Sequence, residues 1–282
     1  MSTTIPTVKE LFKAGAHFGH RKARTDARSQ QFIFTYRNKV AVIDLEKTRA
    51  ALEKTLDFLA SQAKQGATIL FVGTKDQARE KVKETAQSLK QPYIISRWPG
   101  GLLTNYNEVA KSVKEMLKVE ANIAESKYEN LTKKERLLIE KDLKKKQTIF
   151  GGLRYLERKP DVLVAVDAKE EEIAIREARG SDVTTIAICD TNANPRIVDY
   201  CIPANDDSQQ AIGIIFGLIK QTVEKNFKPK VPAETNVEKR VDQAIIKKES
   251  TSRKEADKAE KKPAGKPARA KSSTKKAKAA KK

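Results

Sequence analysis

The chain has 282 residues, of which 39% are hydrophobic, and a formal net charge of +20. That composition supports a sizeable core and points to a polyanionic partner, because each phosphate neutralised by Lys or Arg releases condensed counterions. No segment approaches the roughly 18 apolar residues that span a bilayer. Met1 to Glu10 has no apolar run of signal-peptide length, and Cys189 and Cys201 form no disulfide framework, so the expectation is a reducing cytoplasm and no membrane.

Thr7 opens a short helix through Ala14. Gly15 to Arg28 then mixes glycines, histidines and cations, and the glycines are expected to shape a turn. Phe32 to Phe34 and Val40 to Ile43 read as strands, and Asp44 opens a helix to about Ala63. Ala67 to Val72 is an apolar strand ending at Gly73, followed by a helix over Asp76 to Leu89 and a strand over Tyr93 to Ser96. Asn107 to Tyr128 and a second run capped by Thr132 and Glu135 form a charged helical hairpin with a narrow apolar stripe. Val162 to Val166, Thr184 to Cys189 and Tyr200 to Ile202 are further strands, with a helix from about Glu170 to Ala178. A last helix, capped by Asp206 or Ser208, runs to about Val223. Apolar strands separated by helices predict an α/β fold with a parallel sheet covered on both faces.

The division expected is a basic N-terminal segment (1–40), an α/β sheet domain (41–106 and 150–227), an inserted hairpin (107–149) and a tail (228–282). The tail holds 19 basic and 7 acidic residues and no aromatic one, a composition that predicts solvated disorder. Its removal leaves +8 on the rest, so the excess of cations is not confined to it.

Several residue groups carry candidate chemistry. His17 and His20 have a spacing that can hold zinc, but no Cys or carboxylate pair accompanies them at finger spacing, and no metal ligand is assigned. Val72-Gly73-Thr74-Lys75 lies where phosphate can meet backbone amides, yet lacks the remainder of a Walker loop; a tight strand-to-helix turn is the plainer reading. Asp167, Asp190, Asp206 and Asp207 fall at strand C-termini, the ligand edge of an open parallel sheet. An Mg²⁺-dependent phosphotransfer enzyme would need these four to converge within a few Å; as helix caps they would be dispersed. Trp98, in Arg97-Trp98-Pro99-Gly100-Gly101, either stacks on a base or anchors its loop, with the anchor favoured. Arg21, Lys22, Arg24, Arg28 and Arg37 have only Asp26 among them and are assigned to phosphate contact. Arg97 and the hairpin cations Lys111, Lys114, Lys118, Lys144 and Lys145 are assigned with them.

Six segments then stand together in order: Ala14-Gly15-Ala16-His17-Phe18-Gly19-His20, Ile43-Asp44-Leu45-Glu46-Lys47-Thr48, Phe71-Val72-Gly73-Thr74-Lys75, Arg97-Trp98-Pro99-Gly100-Gly101-Leu102-Leu103-Thr104-Asn105, Asp190-Thr191-Asn192 and Ile202-Pro203-Ala204-Asn205-Asp206-Asp207. With them the chain resembles the bacterial small-subunit ribosomal protein S2 family over about Val8 to Phe227. The resemblance implies a flavodoxin-like sheet with a coiled-coil hairpin insertion. It also implies a non-catalytic, cofactor-free role on the solvent side of the small subunit, bound to 16S ribosomal RNA between head and body. The neighbours it implies are small-subunit proteins, among them the large mRNA-binding ribosomal protein. A nucleic-acid chaperone driven by the tail is the remaining alternative.

Overall fold

A computed structural model describes residues 5–128 and 130–227; the disorder expected of 228–282 lies outside the described residues. In chain order the elements are α1 (Val8–Lys13), β1 (Phe18–Arg21), β2 (Ile33–Arg37), β3 (Val40–Ile43), α2 (Leu45–Lys64), β4 (Ile69–Val72) and α3 (Asp76–Ser88). They continue with β5 (Tyr93–Ile94), α4 (Tyr106–Ala124), α5 (Lys133–Phe150), β6 (Val162–Val166), α6 (Glu172–Arg179), β7 (Thr184–Cys189), β8 (Tyr200–Pro203) and α7 (Gln209–Asn226).

Five strands form one parallel sheet in the order β5-β4-β6-β7-β8. Counted along the chain that is 2-1-3-4-5, the doubly wound order of flavodoxin-like folds. Every residue of β4 and of β6 is buried, because helices cover both faces and leave no polar side to the strands. The pleat divides them by alternation. Ile69, Phe71, Val162, Val164 and Val166 join a core with Leu52, Leu59, Ile212 and Phe216 of α2 and α7, whereas Leu70, Val72, Leu163 and Ala165 join another with Ile175, Trp98, Leu102 and Leu153. The helices α2 and α7 owe their length to side-chain caps and to apolar residues at helical spacing. Asp44 accepts from Glu46 N and Lys47 N, and Ser208 from Ala211 N.

Gly15, with φ +73°, shapes the expected turn over residues 14–17, but the run to Arg28 also contains β1. It is one edge of a three-stranded antiparallel sheet ordered β1-β3-β2. The reason is Gly19: a Cβ there would lie 2.7 Å from Thr191 Cγ2, so the glycine serves close approach of two chain segments rather than a reversal.

The helices α4 and α5 meet through Lys146–Glu115 (3.2 Å) and Gln147–Glu120 (2.7 Å). Val113 and Met116 are the buried residues of α4, and α5 has none among those described. The narrow stripe predicted for this region is thus seated at the sheet-proximal part of α4.

Candidate functional site

Three of the six segments, far apart in sequence, meet at the C-terminal edge of the parallel sheet. Asn205 donates its backbone N–H to Ala16 O (3.1 Å) and its Nδ2 to Gly15 O (2.9 Å). The backbone N–H of His20 donates to Thr191 Oγ1 (2.9 Å), and Ser208 Oγ donates to Ala14 O (2.7 Å). The N-terminal segment is thereby sewn onto the loops after β7 and β8.

At that edge lies an ionic cluster. Lys75, which follows β4, places Nζ 2.7 Å from Asp206 Oδ1, 2.8 Å from Asp207 Oδ1 and 3.2 Å from Asp167 Oδ2. Asp167 follows β6 with φ +69°, a left-handed conformation that Asp tolerates when its side chain bonds locally; here it accepts from Lys169 N and Glu170 N. His20 Nδ1 lies 2.7 Å from Asp190 Oδ2, and its Nε2 lies 3.9 Å from Asp207 Oδ2. The four carboxylates converge, as the phosphotransfer reading required, but a lysine and a histidine sit among them.

Electrostatics follow from burial. Burial opposes the Lys75 charge, yet the hydrogen bonds it donates to Asp206 and Asp207 outweigh that and hold the ammonium well above its ordinary range. Burial, then the charges of Asp167 and Asp190, push Asp206 up to about 8. Asp206 is therefore the cluster's weak acid, and its Oδ2 is buried without a hydrogen-bond partner. His20 is raised, chiefly by its hydrogen bond to Asp190.

His20, Asp190, Asp206 and Asp207 each offer one donor atom within 4.8 Å of the others. One imidazole nitrogen and three carboxylate oxygens suit a zinc-class divalent cation. The sequence had paired His20 with His17 instead. His17 is not in this set: it stacks between Phe12 (centroids 4.1 Å) and Phe18 (4.0 Å).

The crevice at which doubly wound sheets bind nucleotides, between β4 and β6, is filled by protein. Thr74 donates through N (2.9 Å) and Oγ1 (2.7 Å) to Glu171, and Lys75 reaches Asp167. Val72-Gly73-Thr74-Lys75 is a tight turn, with Gly73 pressed so closely that a Cβ would meet Val82 Cγ2 at 2.8 Å.

A model of the family described as ribosomal protein S2 matches residues 11–226. The chain belongs to the ribosomal protein S2 family. Among its relatives, small ribosomal subunit protein uS2 of Thermus thermophilus is 42% identical over 209 residues, covering 74% of the chain and 82% of the relative. The protein of the same name from Porphyromonas gingivalis is 39% identical over 218 residues (77% and 78%). That of Parabacteroides distasonis is 36% identical over 256 residues (88% and 92%). The S2 family is structural rather than enzymatic, which agrees with Lys75 occupying the carboxylates that an enzyme would leave for its cofactor.

The cations assigned to RNA from this S2 sequence are all exposed: Arg21, Lys22, Arg24, Arg28, Arg37, Arg97, Lys111, Lys114, Lys118, Lys144 and Lys145. Arg21 of β1 and Arg37 of β2 both register with Val40 of the central strand β3, which places them at one level of the small sheet. Lys22 lies over the Tyr36 ring at 5.4 Å. Lys111, Lys114 and Lys118 have i, i+3, i+7 spacing along α4 and form one stripe; Lys111 is paired with Glu108 at 2.6 Å and Lys145 lies 3.8 Å from Asp142. Trp98 is an anchor, donating Nε1 to Glu177 at 3.1 Å, while Arg97 beside it stays in solvent. The sequence reading missed Lys75, whose position four residues into a strand-to-helix turn carries no mark of the three carboxylates it meets.

Proposed function

We propose that this chain is a structural constituent of the small ribosomal subunit, binding 16S ribosomal RNA and neighbouring small-subunit proteins, including the large mRNA-binding ribosomal protein, in the cytoplasm. The observation that carries the reading is family membership over 11–226 together with a surface on which all eleven assigned cations reach solvent. Exposed cations lose little solvation when they meet phosphate, and the released counterions drive association. Arg21, Lys22, Arg24, Arg28 and Arg37 act as one phosphate-binding group, Arg97 as a second, and the lysines of a coiled-coil hairpin (107–149) as a third. The α/β domain (41–106 and 150–227) serves as the scaffold, and the N-terminal segment (1–40) and the +12 of residues 228–282 add to the electrostatic attraction.

The full chain is expected to co-sediment with small subunits through a moderate salt wash. Its affinity for 16S ribosomal RNA should then fall steeply as salt rises. Affinity insensitive to salt, or a chain recovered free of small subunits, would overturn this reading.

A further inference from the structure

A cleft of about 720 Å³ opens at the β5 edge of the parallel sheet. One wall is α3, which contributes Arg79, Lys83 and Gln87, spaced i, i+4, i+8 on one helical face. The floor is the chain from Tyr93 to Arg97, and the far wall runs from the end of α5 to Tyr155. The lining includes four cations (Arg79, Lys83, Arg97 and Arg154) and two tyrosines (Tyr93 and Tyr155), and no carboxylate. On the hairpin, by contrast, cations alternate with glutamates.

The cleft is built rather than incidental. Ser96 Oγ donates to Thr148 O at 2.7 Å, tying floor to far wall. Gly152 lies so close that a Cβ would stand 2.1 Å from Tyr93 O, which lets backbone pass beneath the ring. Arg79 pairs with Asp76 (2.7 Å) and Arg154 lies 3.7 Å from Glu120; Lys83 and Arg97 make no ion pair among the described residues. The volume is of the size that small ligands occupy.

We propose that this cleft takes an unpaired RNA nucleotide, its phosphates held by Lys83, Arg97 and the two partly paired arginines and its base stacked on Tyr93 or Tyr155. Aromatic rings among cations suit single-stranded RNA, whose splayed bases stack while the backbone is neutralised. A duplex buries its base faces and would use only the charges. An acidic peptide would likewise leave the tyrosines without a stacking partner. The proposal rests on the RNA-binding reading above and names a site for it outside the arginine group near Arg21.

The test uses the full chain and 16S ribosomal RNA partly substituted with 4-thiouridine, photo-crosslinked and mapped by mass spectrometry. A nucleotide adduct on the peptides carrying Tyr93 or Tyr155 is expected; adducts confined to other regions overturn the cleft. In parallel, the Lys83→Glu/Arg97→Glu double variant is compared with Lys54→Glu/Lys64→Glu, an exposed, charge-matched pair on α2. The first should bind about tenfold more weakly than the second. Equal affinities overturn the cleft while leaving the ribosomal reading standing; an unaltered chain that fails to hold the RNA removes both. An adduct displaced by an acidic decapeptide but not by oligouridylate also overturns the proposal and assigns the cleft to a protein partner.

Discussion

The Lys75 ammonium lies 2.7 Å from the carboxylate of Asp206, a side chain with no exposure to solvent. The pair joins the turn after β4 to the loop after β8, two strands on opposite sides of β6 and β7. It is the point at which the ligand edge of a doubly wound sheet is closed by the protein itself. Removing the ammonium takes the counter-charge from Asp167 and Asp207 and the hydrogen-bond donor from buried Asp206, and a buried carboxylate left without its partner is costly.

Lys75→Met is therefore expected to destabilise the fold by about 3–5 kcal/mol. At roughly 2–4 °C per kcal/mol for a chain of this size, thermal unfolding should show a fall of about 6–20 °C. A Tm within a degree or two of the unaltered chain would mean that the cluster contributes nothing to the fold.

Stability should fall between pH 6 and pH 8 in a chelating buffer. Asp206 in the fold is pushed up to about 8, so it holds a proton that the unfolded chain has lost above about 4. Its contribution is complete below the unfolded value and disappears as pH rises through about 8. His20, raised by Asp190, acts in the same direction: its contribution is present below about 6.5 and is lost as pH rises through its folded value. The slope from Asp206 is at most about 1.4 kcal/mol per pH unit. Asp206→Asn should flatten the profile, read by urea unfolding on the fluorescence of Trp98, the single tryptophan.

The donor set of His20, Asp190, Asp206 and Asp207 carries the Lys75 ammonium on two of its members, so zinc should stabilise the fold once Lys75→Met has removed that charge. At a free concentration of about 100 times Kd the gain is about 2.7 kcal/mol, or about 5–10 °C. His20→Ala in that background should lose the response. Identical zinc shifts in both chains would place the ion elsewhere.

Glu177 should govern the loop after β5. Its carboxylate accepts from Trp98 Nε1 (3.1 Å), Gly101 N (2.8 Å) and Leu103 N (3.2 Å). Glu177→Ala leaves three donors without their acceptor, and a loss of about 2–4 kcal/mol is expected. The emission of Trp98 should move to longer wavelength as the indole meets water; an unchanged spectrum would show that packing alone holds it.

Much of the fold was legible because it rests on local signals. Val162 to Val166 is a continuous apolar run and Thr184 to Cys189 is two β-branched threonines followed by four apolar residues, and both are strands at those limits. The Thr132 and Glu135 spacing gave a capping box whose two reciprocal bonds are both present. The strand Phe18–Arg21 was hidden because its glycine and histidine resemble a turn, and its pairing with β3 depends on Val40 and Val42, some twenty residues away. The four aspartates could be placed at strand ends from sequence, but their neighbours Lys75 and His20 could not.

By itself, the sequence determined the order of the parallel strands and their helices, the family and the excess of cations, since each is written in composition, periodicity or short motifs. Only tertiary structure decided that residues 14–20, 190–192 and 202–207 share one corner, that Lys75 closes the nucleotide crevice, and that Arg79, Lys83, Arg97 and Arg154 line one cleft. The physical reason is that a motif fixes backbone conformation over a few residues, whereas charge compensation and burial depend on distances that appear only when the parallel strands are set side by side.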